Sequence, residues 1–272
     1  MKNFIQRTIT GFVFAVLIIC SLLWSPYPFA ILFLVFTLFA LFEFYRMILQ
    51  NTSSHLILTG LIAGAVLYMS FAFFAMGMIS INWLLINFIV INLIFMLELV
   101  RDRSSAVRNS VYIILGIIYI AVPFALLNFL YDFDPLSKDY NPIFLLGYFI
   151  LSWVYDIMAY VGGSLFGRTK LFPEVSPSKT WEGVILGGII TLGVAGAIAY
   201  FFGHISLLHW LVVGVIIIVF GTFGDLAESL FKRNFNMKDA GKVLPGHGGV
   251  LDRFDGLLFS APAVLFYYYL IA

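Results

Sequence analysis

Residues 229–255 read S-L-F-K-R-N-F-N-M-K-D-A-G-K-V-L-P-G-H-G-G-V-L-D-R-F-D. This stretch holds five of the chain's 15 lysines and arginines, in a 272-residue sequence that is 62% hydrophobic and only 11% charged. Soluble domains average about 25% charged residues, so the composition excludes a soluble protein. A dense polar segment in such a chain is a loop at a membrane surface, and its basic content places it on the inner side. Working outward from it, apolar runs near 9–24, 28–47, 56–78, 82–100, 109–131, 142–164, 183–203, 207–226 and 256–271 predict nine spans. Each is near the roughly 20 residues that a bilayer requires.

Nine spans put the termini on opposite sides of the membrane. With the N-terminus inside, the inner segments carry Lys2 and Arg7, then Arg46, then Arg101, Arg103 and Arg108, then Arg168, Lys170 and Lys179, and finally the loop above. That is 14 of the 15 basic residues, and only Lys138 falls outside, beside Asp132, Asp134 and Asp139. The expected fold is therefore an all-α polytopic integral membrane protein with about nine transmembrane helices, a cytoplasmic N-terminus and an outer C-terminus. The first segment (Lys2, Arg7, then an apolar run) lacks a small-residue cleavage site and reads as a retained helix. Cys20 is the single cysteine, so no internal disulfide framework exists.

The chain divides by chemistry. Residues 1–131 form an N-terminal membrane half of five spans with no charge at their centres. Glu43 and Glu98 sit near inner ends, where a carboxylate is expected to snorkel to water. Residues 142–272 form the chemically richer half, with four spans and charged inner loops at 167–182 and 227–255. Gly163-x-x-x-Gly167 and Gly183-x-x-x-Gly187 predict close helix approach.

Asp156 lies inside span six, where a lone carboxylate costs about 2.5–3.5 kcal/mol and calls for a partner or a task. In the loop G-R-T-K-L-F-P-E-V-S-P-S-K-T-W-E-G, from Gly167 to Gly183, Ser178 or Thr180 is placed to cap span seven, with Glu182 in its first turn. A helix N-terminus carrying hydroxyls and Lys179 is also an anion site. Asp225 and Glu228 stand three apart on one helical face. They read either as a divalent-metal site or as an acidic pair answering Lys232 and Arg233. Asp252 and Asp255 repeat that spacing. Near them, Pro245-Gly-His247-Gly248-Gly249 offers a glycine turn able to approach a phosphate. His247 fits a phosphate donor, a proton carrier or a turn residue. Zinc is excluded for want of ligands, and no Walker A or Rossmann pattern is present. Carboxylates beside a cation set (Lys179, Lys232, Arg233, Lys238, Lys242 and Arg253) are the ingredients of phosphoryl or nucleotidyl transfer.

The pattern Ser229-x-Phe-Lys232-Arg233, Lys238-Asp239-x-Gly241, Leu244-Pro245-x-His247-Gly-Gly-Val-x-Asp252-Arg253-Phe-Asp255 resembles the full signature of the phosphatidate cytidylyltransferases, or CDP-diacylglycerol synthases. Asp156-x-x-Ala-Tyr160, Phe166-Gly167-Arg168 and Ser176-Pro-x-Lys179-Thr180-Trp-Glu-Gly183 fit as well. Some members carry a basic residue where Ser178 stands. The resemblance covers roughly residues 150–260 and implies CTP and phosphatidate as partners, with CDP-diacylglycerol and pyrophosphate as products. It implies a bilayer setting and no nucleic acid, with a homodimer left open; the short chain without long termini favours a bacterial inner membrane. It further implies Mg2+, either as one ion, two divalent ions or a mixed metal pair, with Asp225, Asp252 and Asp255 as metal ligands. Catalytic roles would fall to these three and to Lys232, Arg233, Lys238, Asp239, His247 and Arg253. Substrate binding would fall to Asp156, Ser176, Lys179, Thr180, Lys242, Gly248 and Gly249.

Three alternatives compete. Asp252-x-x-Asp255-Gly256 begins like the CDP-alcohol phosphotransferase motif but continues Leu257-Leu258-Phe259-Ser260, which breaks it. A CTP-dependent polyprenol kinase shares the ingredients. A transporter using Asp156 and Asp225 is disfavoured because the charges gather in loops on one face.

Overall fold

The computed structural model describes residues 2–49, 54–134, 136–137, 139–203, 205–235, 237, 241 and 248–271, with side chains from Thr10 onward. Its helices are α1 (Lys2–Trp24), α2 (Pro26–Ile48), α3 (Ser54–Ala75), α4 (Ile81–Arg101), α5 (Ala106–Phe129), α6 (Ile143–Phe166), α7 (Trp181–Phe202), α8 (Leu207–Asn234) and α9 (Asp255–Ile271). Seven of them, α2 to α8, are long and apolar enough to cross a membrane; Thr10–Trp24 and α9 are shorter apolar helices. The chain is thus a multi-pass, helical membrane protein. Two small antiparallel hairpins interrupt the helices: β1 (Asp132–Phe133) with β2 (Tyr140–Asn141), and β3 (Lys170–Phe172) with β4 (Ser176–Thr180).

The chain forms two compact units, Met1–Asn141 with Met237–Arg253, and Pro142–Asn236 with Phe254–Ala272. The polar segment 237–253, counted in the sequence with the C-terminal half, groups with the first unit.

In the first unit the core is aromatic. Phe29, Phe33, Phe44 and Phe124 have no exposed surface. Tyr45 of α2 donates to the Ile113 carbonyl of α5 at 2.7 Å. Its ring fills a slot left by two glycines: a Cβ on Gly60 would lie 2.6 Å from the ring's Cζ, and so would one on Gly116. Helix α5 widens into a π turn at Ile117–Ala121 just before Pro123, where the proline ring would clash with the preceding turn of a regular helix.

Glu98 does not snorkel. It is wholly buried, accepts from Asn109 Nδ2 at 3.0 Å and faces the Arg101 guanidinium at 3.5 Å. Glu43, 3% exposed, is buried as well. Both carboxylates meet protein donors in place of water, which is the condition for burying a charge. Replacing Asn109 by Leu removes one such donor and is expected to cost about 1–3 kcal/mol. A lower unfolding midpoint in detergent, with Asn109→Asp lower still, would register it.

In the second unit α6 and α7 pack backbone to backbone. A Cβ on Gly183 would stand 2.6 Å from the Ala159 carbonyl oxygen, and one on Gly187 would stand 2.9 Å from the Ala159 nitrogen. The glycine spacings seen in the sequence therefore form one close contact. Trp210 of α8 is 1% exposed and stacks on Phe144 with centroids 5.4 Å apart. Tyr148 of α6 meets the Ser260 hydroxyl of α9 at 2.7 Å.

Candidate active site

Three elements of the second unit bring charge together. The first is the β3–β4 hairpin. Thr180 is the N-cap of α7, its hydroxyl accepting from Gly183 N at 3.3 Å, as the capping pattern predicts. Glu182 does more than sit in the first turn: its carboxylate accepts from Arg168 N at 3.1 Å and Thr169 N at 3.0 Å, closing the chain back onto the helix. Ser176 and Thr180 are buried, and between them Lys179 is half-buried.

The second element is α8. A π turn at Ile217–Gly221 adds a residue to the helix, which rotates everything after it by roughly 100°. After that turn come Thr222, bonded to the Tyr155 hydroxyl of α6, then Gly224, Asp225 and Glu228. Gly224 lets the N-terminus of α9 approach, since its Cβ would lie 3.0 Å from Gly256 Cα. The third element is that N-terminus. A Cβ on Gly256 would lie 3.2 Å from Asp225 Oδ1, and Asp255 Oδ1 accepts from Gly256 N at 2.9 Å. Asp225, Glu228, Asp156 and Lys179 all lie within electrostatic range of Asp255.

Within this cluster the pairing of charges is specific. The Lys179 ammonium forms an ion pair with Asp225 Oδ2, both side chains 23% exposed. Glu228, 2% exposed, takes Lys232 Nζ at 2.5 Å one helical turn later. The reading of Asp225 and Glu228 as a pair answering Lys232 and Arg233 therefore holds for Glu228 with Lys232, while Asp225 answers a cation from the hairpin. Asp156 and Arg233 are exposed.

The first unit holds the other described signature residues. Gly248 has φ +85°, a left-handed conformation that only glycine adopts without strain. Gly249 N donates to Asp252 Oδ2 at 2.7 Å, and Arg253 is exposed. Lys238, Asp239, Lys242 and His247 lie outside the described residues.

Sequence reasoning missed one residue of this unit. Glu43 Oε2 of α2 accepts the Leu251 amide at 2.9 Å, across 208 residues of chain. A carboxylate in an otherwise apolar stretch was the available signal; its partner was not.

Among the described residues no three His, Cys, Asp or Glu side chains converge into a ready metal site. Mg2+ does not require one, because it is usually held by one or two carboxylates completed by water and substrate phosphates. Asp225 and Asp255, flanking Gly256, match that donor chemistry in the second unit.

Comparison with known proteins finds cytidylyltransferases. The phosphatidate cytidylyltransferase of Rickettsia bellii (strain RML369-C) is 32% identical over 237 residues, covering 81% of this chain and 97% of the relative. That of Rickettsia typhi (strain ATCC VR-144 / Wilmington) is 32% identical over 232 residues, covering 79% and 96%. The phosphatidate cytidylyltransferase of Staphylococcus haemolyticus (strain JCSC1435) is 38% identical over 156 residues, 57% of each chain. A family model described as the cytidylyltransferase family matches residues 5–271, and on that match, which spans nearly its whole length, the chain belongs to the cytidylyltransferase family.

Proposed function

We propose that this chain transfers a cytidylyl group from CTP to phosphatidate, making CDP-diacylglycerol and pyrophosphate for phospholipid synthesis. The observation that carries the reading is the Lys179–Asp225 ion pair beside Asp255, in a chain with the family's full polar signature. A phosphate oxygen of phosphatidate attacks the α-phosphorus of CTP. The new O–P bond forms as the bond from the α-phosphorus to the bridging oxygen breaks, and pyrophosphate leaves with that electron pair. No covalent enzyme intermediate is needed.

Both reactants are anions; a phosphate monoester alone carries roughly −1.5 to −2 charges near neutral pH. Holding them in line is therefore the main task of the protein. Lys179 and Lys232 are proposed phosphate ligands, each parked on a carboxylate (Asp225 and Glu228) until substrate arrives. Arg233 and Arg253 are exposed and positioned to take anions from solution. Ser176 and Thr180 keep the Lys179 strand in place. Asp225, Asp252 and Asp255 are the proposed carboxylates for Mg2+, which when bound supplies charge neutralisation on the triphosphate. Lys238, Asp239, Lys242 and His247 complete the proposed set on the strength of the signature alone.

The charge distribution supports nine crossings, a cytoplasmic N-terminus and an outer C-terminus, and the bacterial relatives favour a bacterial inner membrane. The polar loops would then face cytosolic CTP while phosphatidate arrives from the leaflet.

The test supplies phosphatidate and labelled CTP to the detergent-purified protein, with and without Mg2+. Magnesium-dependent label in the lipid phase with equimolar pyrophosphate is the expected result. Formation of CDP and a newly phosphorylated lipid alcohol would replace this reading with a kinase.

A further inference from the structure

Glu43 is the one acidic residue of α2, and it is buried beside a polar loop that follows it by some two hundred residues. Its Oε2 accepts the Leu251 amide at 2.9 Å. Two glycines of the loop lie against the same carboxylate. A Cβ on Gly249 would stand 2.8 Å from Glu43 Oε1, and one on Gly241 would stand 2.7 Å from Glu43 Cγ. Neither glycine has a positive φ, so it is proximity to Glu43, and not backbone conformation, that excludes a side chain there. The residue after Leu251 is Asp252, whose own carboxylate takes the Gly249 amide at 2.7 Å. Two carboxylates thus hold two amides of one short turn.

The anchor itself is rigid. Two residues beyond Glu43, Tyr45 is fully buried in the slot between Gly60 and Gly116 and bonded to the Ile113 carbonyl at 2.7 Å. The loop is therefore referenced to a locked helix. For packing alone, an apolar residue at position 43 would avoid the cost of desolvating a carboxylate. We propose that Glu43 is a positioning residue: through the Leu251 amide and its contacts with Gly241 and with Gly249 it sets the placement of the Asp252 carboxylate for the transfer reaction. This inference rests on the proposed function. Side chains that hold a reacting group act through small displacements, and about 1 Å of misplacement can cost on the order of a hundredfold in rate.

The test uses the full chain in detergent, comparing Glu43→Ala, Glu43→Gln and Gly241→Ala with the unaltered protein. Glu43→Ala is expected to lower kcat on the order of a hundredfold and to raise the Mg2+ needed for half-maximal activity, with KM for phosphatidate moving less than about threefold. Glu43→Gln keeps an acceptor for the Leu251 amide and is expected to recover at least tenfold of that loss. Gly241→Ala, which pushes on the carboxylate from the other side, should reproduce the Mg2+ effect. Amide exchange at residues 249–252 should rise in Glu43→Ala while that of α3 stays unchanged.

Activity of Glu43→Ala within twofold of the unaltered protein would overturn the proposal. So would equal losses in the Ala and Gln variants that track a fall in unfolding midpoint, which marks a purely structural role. If Glu43→Ala does not fold, Gly241→Ala with an unchanged Mg2+ response overturns it by itself. Should the unaltered protein make no CDP-lipid, the functional proposal fails, and amide exchange still decides whether Glu43 anchors the turn.

Discussion

Asp225→Asn is expected to lower kcat about a thousandfold, equivalent to about 4 kcal/mol of transition-state stabilisation. The substitution keeps the shape of the side chain and removes its charge. Asp225 is the carboxylate on which Lys179 rests, and its Oδ1 faces the Gly256 backbone at the start of α9, near Asp255. An amide there still fills the space but is a much poorer ligand for a hard cation and no counter-ion for Lys179. Stability should change less than activity, because both partners are 23% exposed and water screens the pair. The check is kcat against Mg2+ concentration, with the unfolding midpoint measured in parallel. Full activity at limiting Mg2+ would remove Asp225 from the proposed metal ligands. Loss of activity matched by loss of folded protein would make its role structural.

Gly183→Val should cause the largest loss of stability in the second unit. A Cβ at position 183 would stand 2.6 Å from the Ala159 carbonyl oxygen, 3.0 Å from Gly163 N and 3.1 Å from Gly163 Cα. All three are backbone atoms, so no side chain can swing aside and α6 and α7 must separate. Between helices in lipid, van der Waals contact replaces the hydrophobic effect as the main attraction, and separation forfeits it along the whole contact. Overpacking costs typically about 1–3 kcal/mol and more where the backbone is rigid. At about 3 kcal/mol the unfolding midpoint of a chain this size falls by roughly 6–12 °C. The same helix supplies the control. Nothing lies within 4 Å of a Cβ on Gly193, so Gly193→Val should be close to neutral. Equal midpoints for the two variants would show that the α6–α7 contact does not limit stability.

The apolar runs predicted the spans closely: 28–47 corresponds to Pro26–Ile48, 82–100 to Ile81–Arg101, and 183–203 to Trp181–Phe202. Span eight is the informative exception. Its apolar run ends at 226, while α8 continues to Asn234. Hydropathy reports where a helix leaves apolar surroundings, whereas the helix itself continues for as long as its turns are satisfied. Here the Glu228–Lys232 pair, four residues apart, stabilises the last turns. The loop 167–182 likewise read as a capped, charged connection, and the cap was found at Thr180; the hairpin was not foreseen, because two strands of three and five residues leave too little alternation to detect.

The site was legible as a list of residue types and illegible as a set of pairs. Asp225 and Glu228 look equivalent in sequence, three residues apart on one face. In the structure one meets Lys179, 46 residues earlier, and the other meets Lys232 on its own helix. Glu43 and Glu98 looked alike too, as carboxylates able to reach water, and both proved to be buried on protein donors.

By itself the sequence determined that this is a helical membrane protein, where its apolar segments run, and which polar residues match the family's signature. Those properties depend on composition and spacing along the chain, which are local. Only the tertiary structure decided which cation rests on which carboxylate, which glycines are backbone contacts, and that Glu43 holds the Leu251 amide. Such contacts join residues far apart in sequence, and their energy depends on ångström distances and on exclusion from water, neither of which is written in the order of the residues.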